Sequence, residues 1–302
     1  MGLLDKIRSS LPIPGRSFRH PEAAGQLLAF VLWERPATVD EIVALVGAVP
    51  GASASAVSGS AASRADVEAG PVDAPATEGP VEVVIAGRTG FVLPIGAAVP
   101  DGEAEAAAAN NPFWPGAAEA VARHQAHLIV SVSDQWSEGE GADPEKPAEG
   151  TEVGGRHTPT YAAFARLVAA LLTHEAAVGV YLGDQGVVYE PTFYTEAVDA
   201  GGKGLPWEVA WFTWAAWESE GVSCGSTRGL RVFGHEELEV RGSTAQPSDV
   251  MDLLANIASY VVESGAVLMP GETLGYTDDQ KLTITAVEGS FVDGHALRIG
   301  LP

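Results

Sequence analysis

Ser226 to Arg241 reads STRGLRVFGHEELEVR, and this stretch decides how the rest of the chain is read. Leu230, Val232 and Phe233 are apolar, Gly234-His235 interrupts, and Leu238 and Val240 then alternate with Glu237, Glu239 and Arg241. Alternation with a period of two is the pattern of a half-buried strand, so the stretch predicts a β-hairpin. Gly234 supplies the permissive backbone of the turn, and Gly229 marks a bulge or a close backbone approach. The charges at 237, 239 and 241 would line the solvent face.

Downstream, Val250, Leu253, Leu254, Ile257, Val261 and Val262 recur at helical spacing. Ser248 is the expected cap of this helix and Gly265 its stop. LTITAV and HALRIGL then close a sheet. Upstream, WEVAWFTWAAW (207–217) reads two ways: Trp207, Trp211, Trp214 and Trp217 fall on one helical face, while its Trp, Val, Phe and Thr content favours a strand. AVGVYLG and GVVYE pair around Asp184-Gln185-Gly186. A helix opens at Thr158-Pro159 and carries Phe164, Leu167, Val168, Leu171 and Leu172.

The first half has its own order. QLLAFVLWE (26–34) is a continuous apolar run, suited to a strand buried on both faces. Thr38 with Glu41 forms a capping box ahead of a short helix. Pro50 to Pro80 is rich in Ala, Ser and Gly and reads as a flexible insertion. VEVVIAG and TGFVLPIG are strands. An Ala-rich helix interrupted by NNPFWPG and a final strand, AHLIVSV, complete a β-α-β-β-α-β order.

The reading is an α+β fold: antiparallel sheets with helices on one face, as two ferredoxin-like halves or one fused pseudo-repeat. Residues 1–24 form a tail, 25–134 the first half with its insertion at 50–80, 135–156 an acidic linker, and 157–302 the second half. TRGLRVFGHEELEV, GETLGYTDDQKLTI and HALRIGLP resemble the C-terminal region of a bacterial family, domain of unknown function 4261, and AHLIVSV with the helix after it resembles its upstream part, so that the resemblance covers most of the chain beyond about residue 25. The resemblance implies a bacterial, cytoplasmic protein and brings no activity and no functional residue with it.

Composition narrows the function. Forty acidic residues against seventeen basic ones give a net charge of −23, which repels nucleic acid and anionic membranes. There is no apolar run long enough for a membrane span. The N-terminus lacks the apolar core of a secretory signal, although Leu3, Leu4 and Ile7 could form a short interfacial helix. One cysteine, Cys224, rules out an internal disulfide and fits a reducing compartment.

Several groups could carry chemistry. His124 and His127 are spaced as metal ligands but have no third partner in sequence, so a helix-end role outweighs a metal. His235-Glu236-Glu237 could do acid–base work, yet neighbours on a strand face opposite ways. Arg228 could clamp a carboxylate or phosphate. Trp207, Trp211, Trp214 and Trp217 could line a groove or fill a core. Thr277-Asp278-Asp279 lacks the rest of a calcium loop. No nucleotide, hydrolase or metalloprotease motif is present, and no cofactor is called for. The leading expectation is a non-catalytic protein that binds a basic protein partner, in the manner of an immunity, adaptor or accessory factor. The alternative is an enzyme or binding protein for a small or carbohydrate ligand, with a pocket near Trp207–Trp217 and Arg228, His235, Glu237 and Trp211 as ligand-binding candidates. The sequence does not fix the oligomeric state.

Overall fold

A computed structural model describes residues 26–57, 79–109, 111, 114–133, 158–199, 212–275 and 281–301. The chain is α+β and divides into two compact units, one within residues 25–211 and one from Phe212 onward. No helix among the described residues is long and apolar enough to cross a membrane.

The first unit holds a seven-stranded antiparallel sheet. Its strands are β1 (Gln26–Trp33), β2 (Ala52–Ala56), β3 (Val81–Ile85), β4 (Arg88–Ile95), β5 (Ala126–Ser133), β6 (Ala177–Leu182) and β7 (Val187–Tyr189), in the order β2-β3-β4-β5-β1-β6-β7. β5 lies between β4 and β1, where a ferredoxin-like order would have β1 between β4 and β5. The two strands after the acidic stretch, β6 and β7, extend this same sheet beyond β1 instead of starting a second one. β2 lies inside the segment read from composition as a flexible insertion. Its ASASA sequence has little apolar bulk, but β3 offers a backbone template and pairs with it from Ala52↔Ile85 to Ala56↔Val81. Residues 58–78, the remainder of that insertion, lie outside the described residues, as do the tail 1–24 and the acidic linker 135–156.

Helix α1 (Val39–Gly47) starts at Thr38, whose side chain accepts the Glu41 N–H while the Glu41 carboxylate accepts the Thr38 N–H. The expected capping box is therefore present. Arg35 adds a 2.5 Å contact to Glu41, and this guanidinium bond holds the Glu41 carboxyl down at about 2. Helices α2 (Glu103–Ala109), α3 (Ala117–Val121), α4 (Thr158–Leu172) and α5 (Pro191–Asp199) complete the unit, and α5 had no counterpart in the sequence reading.

One face of the sheet is buried from β3 across to β7, with Ala29, Val31, Trp33, Val83, Val92, Val130, Val180 and Tyr189 all solvent-free, while the edge strand β2 is only half-buried or exposed there. The other face is covered toward β6 and β7, where Leu32, Tyr181 and Val188 pack with Val99, Ala104 and Val121, and at the Ile95–His127 end of β4 and β5. β1 is thus not buried on both faces throughout, because Leu28 on the second face is exposed.

The second unit is a six-stranded sheet of β8 (Thr213–Ser219), β9 (Val222–Arg228), β10 (Glu237–Ser243), β11 (Thr273–Gly275), β12 (Lys281–Glu288) and β13 (His295–Gly300), ordered β11-β12-β13-β10-β9-β8. β10 and β13 run parallel, and the other neighbours are antiparallel. Helix α6 (Pro247–Ser264) packs on β8, β9 and β10 with Val250, Leu253, Leu254, Ile257 and Val261 buried. Its cap is Gln246 rather than Ser248, since Pro247 takes the first helical position. It ends at Gly265, which is left-handed at φ 67°. At Gly225 a Cβ would lie 2.8 Å from Leu254 and Val250 side-chain carbons and from the Ala215 carbonyl oxygen, so glycine lets helix and sheet approach closely.

Candidate functional site

The predicted hairpin exists, but with a different first arm. Leu230–Phe233 is a 3₁₀ turn whose apolar side chains point into the core, and the strand that pairs with β10 is β9, with Ser226 opposite Glu239. Gly229 and Gly234 bracket the turn at φ 103° and 87°, values that disfavour any side chain. A three-residue apolar cluster and one glycine look alike in a strand and in a 3₁₀ turn, so periodicity could not separate them.

Of the three charges of β10 expected on a solvent face, Arg241 is exposed, and the two glutamates are not. Glu237 and Glu239 are both buried. Glu237 accepts the Thr227 hydroxyl at 2.7 Å and the Gly229 N–H at 2.8 Å, so it fastens the turn to β9. Burial pushes its pKa up, against the opposing pull of these hydrogen bonds. Glu239 accepts Arg298 Nε at 2.8 Å, Arg298 Nη2 at 2.6 Å and the Ser290 N–H at 2.8 Å. Arg231 donates to the carbonyls of Asp293 and His295, and Arg228 to that of Phe291. Four charged side chains of residues 228–239 thus secure the turn and the segment 290–295.

That fastening shapes a cleft of about 290 Å³. Leu268, Met269, Pro270, Ala286, Ala296 and Leu297 give it apolar walls, and Glu236 and His295 supply the polar groups. The adjoining recess continues it toward His235, Val261 and Val267. Three local facts place these residues. The 3₁₀ turn ends at Gly234 and delivers His235 and Glu236 just ahead of β10. α6 stops at Gly265, which lets 266–270 run along the sheet. β10 and β13 are parallel, which sets Glu237 opposite Ala296 and so Glu236 near the start of β13. An apolar cavity with a carboxylate on its wall accepts a ligand that has an apolar stem and a hydrogen-bond-donating or cationic head.

Among the sequence candidates, His235 lines the recess. Arg228 is exposed and directed at Phe291, and Glu237 is enclosed by the turn, so these two are not brought to the cleft. Trp211 and its neighbours 207–210 lie outside the described residues, as do Thr277–Asp279. Trp214 packs beside Phe212, and Trp217 meets Phe291 edge-on at 4.7 Å. Glu236 was visible only as part of a turn, and 268–270 had no signal beyond a proline after a helix stop. Their convergence depends on the parallel β10–β13 pairing, which neighbouring residues do not encode.

The histidine pair has structural roles. His124 is buried and bridges Val121 O at 2.6 Å and the Val99 N–H at 3.0 Å, closing the end of α3 as the helix-end reading required. His127 bonds Ala97 O at 2.8 Å, and burial lowers its pKa. Cys224 is buried. No group of three or more metal-ligating side chains occurs among the described residues.

Fold and cleft define a two-unit α+β protein with a small, mostly apolar cleft in its C-terminal unit. Residues 226–300 match a family known as domain of unknown function DUF4261, which bears out the resemblance for that region, and the whole cleft falls within the match. No curated protein and no solved structure matches the chain.

Proposed function

We propose that the chain is a non-catalytic, cytoplasmic partner-binding protein, and that its C-terminal cleft receives a lysine or arginine side chain of a basic protein. One observation carries this reading: Glu236 stands, with His295, on the wall of a cavity otherwise made of Leu268, Met269, Pro270, Ala286, Ala296 and Leu297. Long basic side chains have the same division, an aliphatic stem and a charged head. The volume, about 290 Å³, lies at the lower end of small-ligand sites and suits one side chain better than a bulky cofactor. A net charge of −23 would draw basic partners in and speed encounter.

The test is binding to a displayed library of short lysine- and arginine-containing peptides. Glu236→Gln removes the charge and keeps the shape. Ala286→Phe fills the cleft from an exposed position of β12. Peptides selected by the natural chain should bind at least about tenfold more weakly to both variants, the loss of one charge-assisted contact. Selected peptides without basic residues, or equal binding by all three proteins, would end this reading. Selection of nothing, together with binding of small organic cations, would favour the small-ligand alternative.

A further inference from the structure

In the six-stranded sheet, Gly225 and its partner Val240 face α6. Glu239 therefore belongs to the opposite face, and with it Arg298 and Thr285 in the same row and Thr283 and Lys281 further along β12. Glu239 is buried, and the exposed side chains of this face on β12 and β11 are Lys281, Thr283, Thr285 and Thr273, with no carboxylate among them. In a chain of forty acidic and seventeen basic residues this is an unusual surface. Two guanidiniums meet on it at one oxygen. Arg298 gives Nε and Nη2 to Glu239, and the same Nη2 lies 3.2 Å from Ser290 Oγ. Arg241 Nη1 donates to Ser290 Oγ at 3.2 Å from β10, where a bulge with Gly242 at φ 73° re-aims the strand. Ser290 is exposed, and its amide is tied to Glu239 at 2.8 Å. Arg241 is exposed and has no carboxylate partner among the described residues.

We propose that Arg241, Arg298 and Ser290 form a binding site for a small phosphate dianion, either free or as the end group of a phosphate monoester. Guanidiniums on two neighbouring strands and a hydroxyl between them offer donors from three directions. That suits a tetrahedral oxyanion, whereas a planar carboxylate is served by one guanidinium fork. Glu239 already holds Arg298 in position, so little freedom is lost when the anion arrives. The Ser290 hydroxyl gives its own proton to Glu239 Oε1 across 3.4 Å, a long bond that it can exchange for a phosphate oxygen. Two guanidiniums against one carboxylate leave one positive charge in excess at this point. The net charge of −23 keeps polyanions away, so the ligand is a small one. The cleft lies on the other face, where Leu297 sits opposite Ala286, and the phosphate site does not depend on it.

The test is NMR titration of the full isotopically labelled chain with inorganic phosphate and with methyl phosphate, each against sodium chloride at equal ionic strength. The two phosphates should give saturable shifts at Arg241, Thr285, Ser290 and Arg298, with a Kd of about 1 mM. Arg241→Gln should weaken binding at least about tenfold, the loss of one charge-assisted contact. Arg241 is exposed and its hydrogen bond is to a loop hydroxyl, so this variant keeps the fold. Arg166→Gln removes the same charge from an exposed position of α4 in the first unit and should leave binding unchanged. Methyl phosphate binding as tightly as inorganic phosphate, or more tightly, makes the ligand a phosphate monoester; weaker binding makes it the free ion. Shifts that sodium chloride reproduces, no loss in Arg241→Gln, or equal losses in Arg241→Gln and Arg166→Gln would overturn the inference.

Discussion

Removing Glu239, which does not itself line the cleft, should loosen the whole C-terminal site. The side chain is fully buried and accepts two guanidinium N–H groups from Arg298 and the Ser290 N–H. Breaking a buried ion pair costs about 3–5 kcal/mol, because the remaining charge is left without its partner. Arg298 is one-third exposed and regains water when Glu239 is lost, so Glu239→Ala belongs at the low end, about 3 kcal/mol. Arg298→Ala strands the carboxylate in the interior with Ser290 alone and should cost about 4 kcal/mol. A double-mutant cycle should then give a coupling of about 1.5–3 kcal/mol. Hydrogen exchange across a urea series, read by mass spectrometry on peptides of β10 and α6, reports this unit alone. Single losses below about 1 kcal/mol, or a coupling within error of zero, would refute the idea that this pair holds segment 290–295 in place.

Other expectations follow from single contacts. Gly225→Ala pushes a methyl against Leu254, Val250 and the Ala215 carbonyl, and should cost about 1–3 kcal/mol in urea unfolding of the same unit. Thr38→Ala removes the cap of α1 and should cost about 1 kcal/mol, seen as faster exchange in residues 39–47. Glu237 gives a pH signature. Its folded pKa is raised by burial, so the folded state holds the proton more tightly than the unfolded one. The stability this adds is full below the ordinary carboxylate range and declines as pH rises through that range toward the raised value. Melting measured from pH 4 to 8 should therefore show a decline that Glu237→Gln flattens; parallel curves for the two proteins would contradict it.

Local signals in the sequence were read correctly where one residue type has one job. The Thr38–Glu41 box, the Gly265 stop, the stripe of α6 and the strand pair around Asp184-Gln185-Gly186 all stand where the pattern put them. Non-local features were not legible. ASASA becomes strand β2 only because β3 offers it a partner. Glu237 and Glu239 alternate with Leu238 and Val240, as on a half-exposed strand, yet Thr227, the 229 amide and Arg298 make their burial tolerable. Those partners lie from 8 to 59 residues away in sequence. The cleft is the extreme case. Glu236, Leu268–Pro270, Ala286 and His295–Leu297 come from four separated stretches, and no one of them carries a motif.

The central claim is that the Glu236 cleft binds a basic side chain, and NMR titration of the isotopically labelled chain with N-acetyl-arginine amide and N-acetyl-lysine amide tests it most directly. The account predicts saturable shifts concentrated at Glu236, Leu268–Pro270, Ala286 and His295–Leu297, in the millimolar range expected of one side chain (about −4 kcal/mol), and lost in Glu236→Gln. Shifts spread over the acidic surface, abolished by salt and unchanged by Glu236→Gln, would contradict it.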